Sequence, residues 1–197
     1  MKRPTTYKTK SLFVKVMDFL WLEKNPVDDI ERAIRADHDE VLDALYTVRN
    51  DHLPPNERQK EFEAIISLFS SSAFAEKKAF YNECLIEKDL TEAVEQSLIE
   101  QKIIIHLVDI LPRKPNLHDF RAFRRWSAGL KVFAYLLESH IRRENSELVS
   151  KISEYFLDDQ RQAIAKKYIE ARKNTQKYVS RDEHVGVLRD VIPGGNL

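Results

Sequence analysis

The chain contains little of what several classes of protein depend on. Its 197 residues include one cysteine, which excludes an internal disulfide and fits a reducing compartment. It has only 4 glycines, and none of them lies in the spacing of a phosphate-binding loop. The 32 basic and 32 acidic side chains cancel, so no excess charge favours nucleic acid or an anionic membrane surface as a partner.

The sequence also lacks the run of about 20 apolar residues that a membrane-spanning helix needs, so no membrane span is expected. Basic residues do precede an apolar stretch at residues 11–22, but Lys15 and Asp18 interrupt this stretch and no small-residue cleavage site follows it. A secretory signal is therefore the weaker interpretation. We expect residues 1–26 to form an amphipathic segment that packs on the main body of a cytoplasmic protein.

What the sequence does contain is helical periodicity, with almost no strand-like alternation. Four long amphipathic stretches separated by short polar breaks predict an all-α fold, an antiparallel up-down four-helix bundle over residues 27–157. An additional C-terminal helix is predicted at residues 158–180. Residues 181–197, which include Gly186 and a Pro-Gly-Gly sequence, are predicted to form a flexible tail.

The breaks between these stretches carry residues that favour a helix N-terminus. Pro54–Pro55 cannot continue a helix, and Asn56 with Gln59 then resembles a capping box. Thr91 and Asn116 are candidate N-caps for the third and fourth helices. These residues set the predicted starts of three of the four bundle helices.

The most informative pair of residues is His140 and Glu144 on the predicted fourth helix. Residues four apart lie on one face of a helix about 6 Å apart, so this imidazole and this carboxylate can reach one metal ion. The face is otherwise apolar, and a buried carboxylate costs several kcal/mol unless it is paired or bound to metal. Three other helices offer interior polar partners, His38, Glu76 and Gln101. Taken alone, the pair fits a hydrogen-bonded core histidine beside a glutamate at the rim of the core better than it fits a metal site.

These positions resemble those of the hemerythrin-like (HHE cation-binding) domains. The matching residues are the first-helix histidine in Ala36–Asp39, Glu76 before Phe80–Tyr81, and His140 with Glu144 in an H-x-x-x-E pattern. The resemblance runs from about residue 27 to residue 156, and residues 162–172 resemble the usual C-terminal helix of the family. It implies a four-helix bundle whose interior ligands hold two irons, with two carboxylates bridging them.

The chain departs from the family pattern at two positions, where Ser72 and Gln101 stand in place of histidines. The resemblance therefore implies a reduced metal site of two histidines and two carboxylates: His38, Glu76, His140 and Glu144. Ser72 and Gln101 would be weak ligands or would contact the ligands. Tyr46 and Tyr81 are candidates to approach the site from neighbouring turns as hydrogen-bond donors, with core packing as their alternative role.

The reduced donor set bears on the cofactor. Carboxylate-rich sites suit harder ions such as Mn²⁺, whereas imidazole supports iron and zinc. The expected cofactor is iron, as a single ion or an incomplete di-iron centre, with manganese or zinc as alternatives and the metal-free protein as another. The function implied is storage or sensing of metal, oxygen or a related small diatomic ligand, and no residue requires an enzymatic reaction.

A metal-free interpretation stays open. Gln101 could donate to Glu76 or Glu144, and the histidines could be protonated against these carboxylates. The donors and acceptors of such a cluster would satisfy one another's hydrogen bonds, and the cluster would fix the register of the helices. The protein would then be a non-catalytic interaction module that contacts a protein partner or a second copy through its helical surfaces. An unrelated helical bundle is the third alternative.

Overall fold

The computed structural model describes residues 28–50, 52–112, 115–116 and 118–179. Within these ranges the chain forms five long helices and no strand, which confirms the predicted all-α fold. The helices are α1 (Ile30–Val48), α2 (Pro55–Ala75), α3 (Lys88–Ile110), α4 (Phe120–Glu147) and α5 (Asp158–Val179). None of the helices described is both long and apolar enough to cross a membrane. The predicted N-terminal segment (1–26) and C-terminal tail (181–197) lie outside the described residues.

Shorter helical pieces connect some of these helices. A π-helical segment, Glu76–Tyr81, directly continues α2 and is followed by one turn of α-helix, Asn82–Cys84. A 3-10 turn, Val149–Lys151, and a short helix, Ile152–Tyr155, lead from α4 to α5.

Side chains cap the N-termini of α1 and α4 but not those of α2 and α3, and the starts of α2, α3 and α4 differ from the predicted ones. Asp119, and not Asn116, caps α4, because its carboxylate accepts two backbone N–H groups at 2.8 and 3.1 Å. Helix α3 begins at Lys88, which places Thr91 inside its first turn. Helix α2 has Pro55 at its first position, where a residue without an N–H group costs no helical hydrogen bond. No side chain caps this helix.

The buried apolar residues form two clusters, with a layer of polar residues between them along the helices. We name them the Phe80 cluster and the Trp126 cluster after a large buried member of each. Helix α1 begins in the Phe80 cluster with Ile30 and ends in the Trp126 cluster with Val48, and α3 runs the same way. Helices α2 and α4 run from the Trp126 cluster to the Phe80 cluster. Consecutive helices therefore pass the polar layer in opposite directions.

Helix α5 packs against α1, α2 and the π-helical segment. Tyr168 belongs to the Phe80 cluster, and its hydroxyl donates to the Asp37 carboxylate at 2.7 Å. The Arg172 guanidinium donates to the other oxygen of Asp37, and both side chains of this ion pair are almost fully buried. Because Asp37 directly precedes His38, this ion pair attaches α5 to α1 beside the polar layer.

Candidate metal centre

The polar layer brings together the four residues for which the sequence predicts metal ligation. His38 comes from α1, Glu76 from the start of the π-helical segment, and His140 and Glu144 from α4; each is at most 3% exposed. Gln101 of α3 reaches the same layer and is 1% exposed. Each of these residues interrupts the apolar face of its helix at the level where the two apolar clusters meet.

Three of these side chains form a compact donor group. One ligand atom each of His38, Glu76 and Glu144 lies within 4.8 Å of the others, which is a spacing that can surround a single ion. The Nε2 atom of His38 lies 3.3 Å from Oε1 of Glu76 and 3.8 Å from Oε2 of Glu144. His140 approaches the same carboxylate oxygen, with its Nε2 3.3 Å from Oε2 of Glu144. Both Nε2 atoms thus lie near this oxygen, although the hydrogen bond of His38 is to Glu76.

That oxygen makes no hydrogen bond. Oε2 of Glu144 is buried and neither histidine contact with it has hydrogen-bond geometry. The amide oxygen of Gln101 is also buried without a hydrogen-bond partner. Buried polar atoms are nearly always hydrogen-bonded in folded proteins, so these two acceptors have room for a further partner, such as a water molecule or a cation. A metal ion is a group that unsatisfied oxygen acceptors and imidazole nitrogens can share.

The π-helical segment places a tyrosine beside both carboxylates. In a π-helix the backbone hydrogen bonds join residues i and i+5, which brings Glu76 and Tyr81 to the same side of the segment. The Tyr81 hydroxyl lies 2.8 Å from Oε1 of Glu144 and 3.2 Å from Oε2 of Glu76, as a donor that the two carboxylates share. Gln101 donates its amide to the same Glu76 oxygen at 2.8 Å. Nothing in the apolar periodicity of the sequence indicates this change of helix type.

Each histidine is also anchored through its second ring nitrogen. Nδ1 of His38 lies 2.8 Å from the side-chain oxygen of Asn145, and Nδ1 of His140 lies 2.8 Å from Oε2 of Glu100. Arg143 in turn donates to both oxygens of Glu100, at 2.9 and 2.8 Å. Asn145, Glu100 and Arg143 carry no sequence pattern that predicts these contacts. Their positions next to Gln101 and Glu144 are the only sequence signal that could have pointed to them.

Burial and mutual charge act together on the ionisable groups of the layer. Burial opposes the cation of His38, but the hydrogen bond to Glu76 and the charges of Glu144 and Glu76 outweigh it and raise the His38 pKa to about 9. Burial alone would raise the pKa of Glu76, but the hydrogen bond to His38 and the charges of His38 and His140 outweigh burial, so the pKa of Glu76 is below its ordinary value. For Glu144, burial and the charge of Glu76 prevail and raise the pKa. At neutral pH the His38 imidazolium therefore balances the ionised Glu76, and ionising Glu144 as well is costly without a further cation.

The remaining predicted residues lie in different places. Ser72 is buried on α2, and its hydroxyl donates to the Phe69 carbonyl of its own helix at 3.1 Å, so no described hydrogen bond links it to the carboxylates. Tyr46 is 79% exposed on α1, which places it outside the polar layer. Eight residues rotate the helix by about 80° and advance it by about 12 Å, so Tyr46 lies on the solvent side and beyond the level of His38.

The chain was compared with known proteins. Protein-family models, curated proteins and solved structures gave no match. The evidence for the site therefore comes from the residues of this chain alone.

The variant Tyr81→Phe tests whether the shared hydroxyl stabilises the layer. We expect it to lower the free energy of unfolding by about 1–3 kcal/mol, because two buried carboxylates lose a hydrogen-bond donor. Urea unfolding followed by circular dichroism measures the change. Tyr155→Phe is the matched control, since its hydroxyl lies 3.4 Å from Asp89 at the surface and its loss should leave stability unchanged. Equal effects of the two variants would contradict a specific role for Tyr81.

Proposed function

We propose that this protein is a hemerythrin-like four-helix bundle that binds a metal ion in its polar layer and serves to store or sense metal, oxygen or a related small ligand. The proposed ligands are His38, Glu76, His140 and Glu144. The alternating direction of α1 to α4 and the level at which each presents its polar residue support the bundle. The resemblance in sequence supports the family, and the donor chemistry supports the metal.

The observation that carries this proposal is the environment of Oε2 of Glu144. Two imidazole Nε2 atoms lie 3.8 and 3.3 Å from this fully buried oxygen, and it accepts no hydrogen bond. An ionised carboxylate oxygen in this state is unfavourable in an apolar core. A cation held by this oxygen, the histidines and Glu76 would satisfy all of these groups. The residues present thus fit a metal ion.

The donor set limits which ion is suitable. Two imidazoles with two carboxylates are compatible with Fe²⁺, Mn²⁺ or Zn²⁺, and the shortage of nitrogen donors argues against a complete di-iron centre. A bound iron would supply redox chemistry and the ability to bind a small ligand. The protein's own residues would supply the buried, hydrogen-bonded surroundings, in which Tyr81 and Gln101 donate to the carboxylates.

One observation favours a second candidate, the metal-free interaction module. Tyr81 and Gln101 already link Glu76 to neighbouring groups, and His38 forms a hydrogen bond to Glu76. This network holds three helices together through polar contacts and could fix their register without an ion. In that case the function of the chain would lie on its outer helical surfaces.

Metal content separates the two candidates. The wild-type protein, His140→Ala and His118→Ala would be purified without chelator, both aerobically and anaerobically, and examined by elemental analysis. We expect near-stoichiometric metal in the wild type and in His118→Ala, because His118 is exposed in the turn before α4. We expect a large loss in His140→Ala, because His140 is buried in the polar layer. Trace metal in all three proteins would establish the metal-free candidate. Equal occupancy in the two variants would place the metal elsewhere.

A further inference from the structure

The hydrogen bond between Glu100 and His140 has a direction that determines the state of the imidazole. An ionised carboxylate can only accept hydrogen bonds, so the 2.8 Å contact between Oε2 of Glu100 and Nδ1 of His140 requires a hydrogen on Nδ1. In the neutral imidazole, Nε2 is then the nitrogen that carries the lone pair. This is the nitrogen that faces Glu144 at 3.3 Å.

Glu100 is itself held in place from the outside. Arg143 donates to both of its oxygens and also to the Ser97 hydroxyl at 2.9 Å, which fixes the plane of the carboxylate. Glu100 lines a cleft between α3 and α4 that reaches His140, and its side chain is 27% exposed. Replacing Glu100 with alanine therefore leaves a space that is open to solvent and not a sealed cavity in the core.

We infer that Glu100 is a positioning residue, which holds His140 in the Nδ1–H tautomer and thereby aims the Nε2 lone pair at the centre of the polar layer. The inference rests on the proposed function only in its consequence for metal affinity. Outer carboxylates of this kind orient metal-binding histidines, and their loss typically weakens metal binding by about 10–100-fold.

The test measures the tautomer first, in the metal-free protein. Histidine labelled with nitrogen-15 would be observed by NMR at a pH where the His140 imidazole is neutral. We expect a pyrrole-type signal for Nδ1 and a pyridine-type signal for Nε2 in the wild type. Glu100→Ala should give a mixture of tautomers, whereas Glu100→Gln, whose amide oxygen can still accept, should retain the wild-type pattern. Glu95→Ala, an exposed glutamate on the same helix, is the control for the truncation itself.

Titration with Co²⁺, followed by its visible absorption, then measures the consequence for the site. Glu100→Ala should bind Co²⁺ about 10–100-fold more weakly than the wild type, while Glu100→Gln and Glu95→Ala should bind it almost as tightly. A Glu100→Ala protein that keeps both the wild-type tautomer and the wild-type Co²⁺ affinity overturns the inference. A wild type that binds no Co²⁺, with a tautomer that still changes in Glu100→Ala, overturns the proposed function and leaves the positioning role intact.

Discussion

Replacement of Arg172 by methionine is expected to lower the free energy of unfolding by about 3–5 kcal/mol, a large part of the stability of a domain of this size. Arg172 and Asp37 form an ion pair in which both side chains are at most 4% exposed. Without the guanidinium, the buried Asp37 carboxyl keeps the Tyr168 hydrogen bond but loses its cationic partner. It must then stay charged in an apolar site or take up a proton, and either state is unfavourable.

Two further variants make this expectation specific. Lys166→Ala removes an exposed cation from the same helix and should leave the urea unfolding curve almost unchanged. The double variant Asp37→Asn with Arg172→Met removes both charges and should recover part of the lost stability, because a neutral amide is cheaper to bury than an unpaired charge. A single variant no less stable than Lys166→Ala would show that the ion pair does not attach α5 to the rest of the fold.

The double variant Ser72→His with Gln101→His is expected to gain iron. Gln101 already contacts Glu76 at 2.8 Å, so an imidazole at this position would add a nitrogen donor to the four proposed ligands. Ser72 is buried one turn before Glu76, at the other position where the resemblance to hemerythrin-like domains implies a histidine. We expect the variant, loaded anaerobically with Fe²⁺ and then exposed to air, to bind iron about tenfold or more tightly than the wild type and to show a charge-transfer absorption that the wild type lacks.

Controls distinguish this gain from a general effect of added histidines. Gln101→His alone should give an intermediate affinity, and Glu95→His on the exposed face of α3 should give none of the gain. If the double variant folds with native helicity and yet binds no more iron than the wild type, Ser72 and Gln101 are packing residues. The metal-free interaction module would then be the better account of the protein.

The helices and the interior polar positions could be predicted because each leaves a local signal. Amphipathic periodicity gives the helices, and a polar residue such as His38, Gln101 or His140 on an otherwise apolar face marks its own position. Helix starts were less accurate: Asp119 caps α4 where Asn116 was expected. Several polar residues stand close together at that break, and periodicity does not choose among them.

The rest of the site depends on contacts between residues that are distant in sequence. To predict the ion pair of Asp37 with Arg172, one must know how α5 lies against α1. To predict the hydrogen bond between His140 and Glu100, one must know the relative rotation of α3 and α4. The π-helical segment that brings Tyr81 to Glu76 lengthens the span of the backbone hydrogen bonds by only one residue. Such a change leaves the apolar pattern almost intact, so composition and spacing do not reveal it.

The most direct test of the central claim is the position of a bound metal in the crystal. Crystals of the protein grown or soaked with Co²⁺ would be measured near the cobalt absorption edge, and the anomalous difference map would locate the ion. We expect the strongest peak within bonding distance of Nε2 of His38 and the carboxylates of Glu76 and Glu144, with Nε2 of His140 beside it. Peaks confined to surface residues, with the polar layer free of anomalous density, would contradict the proposed metal site.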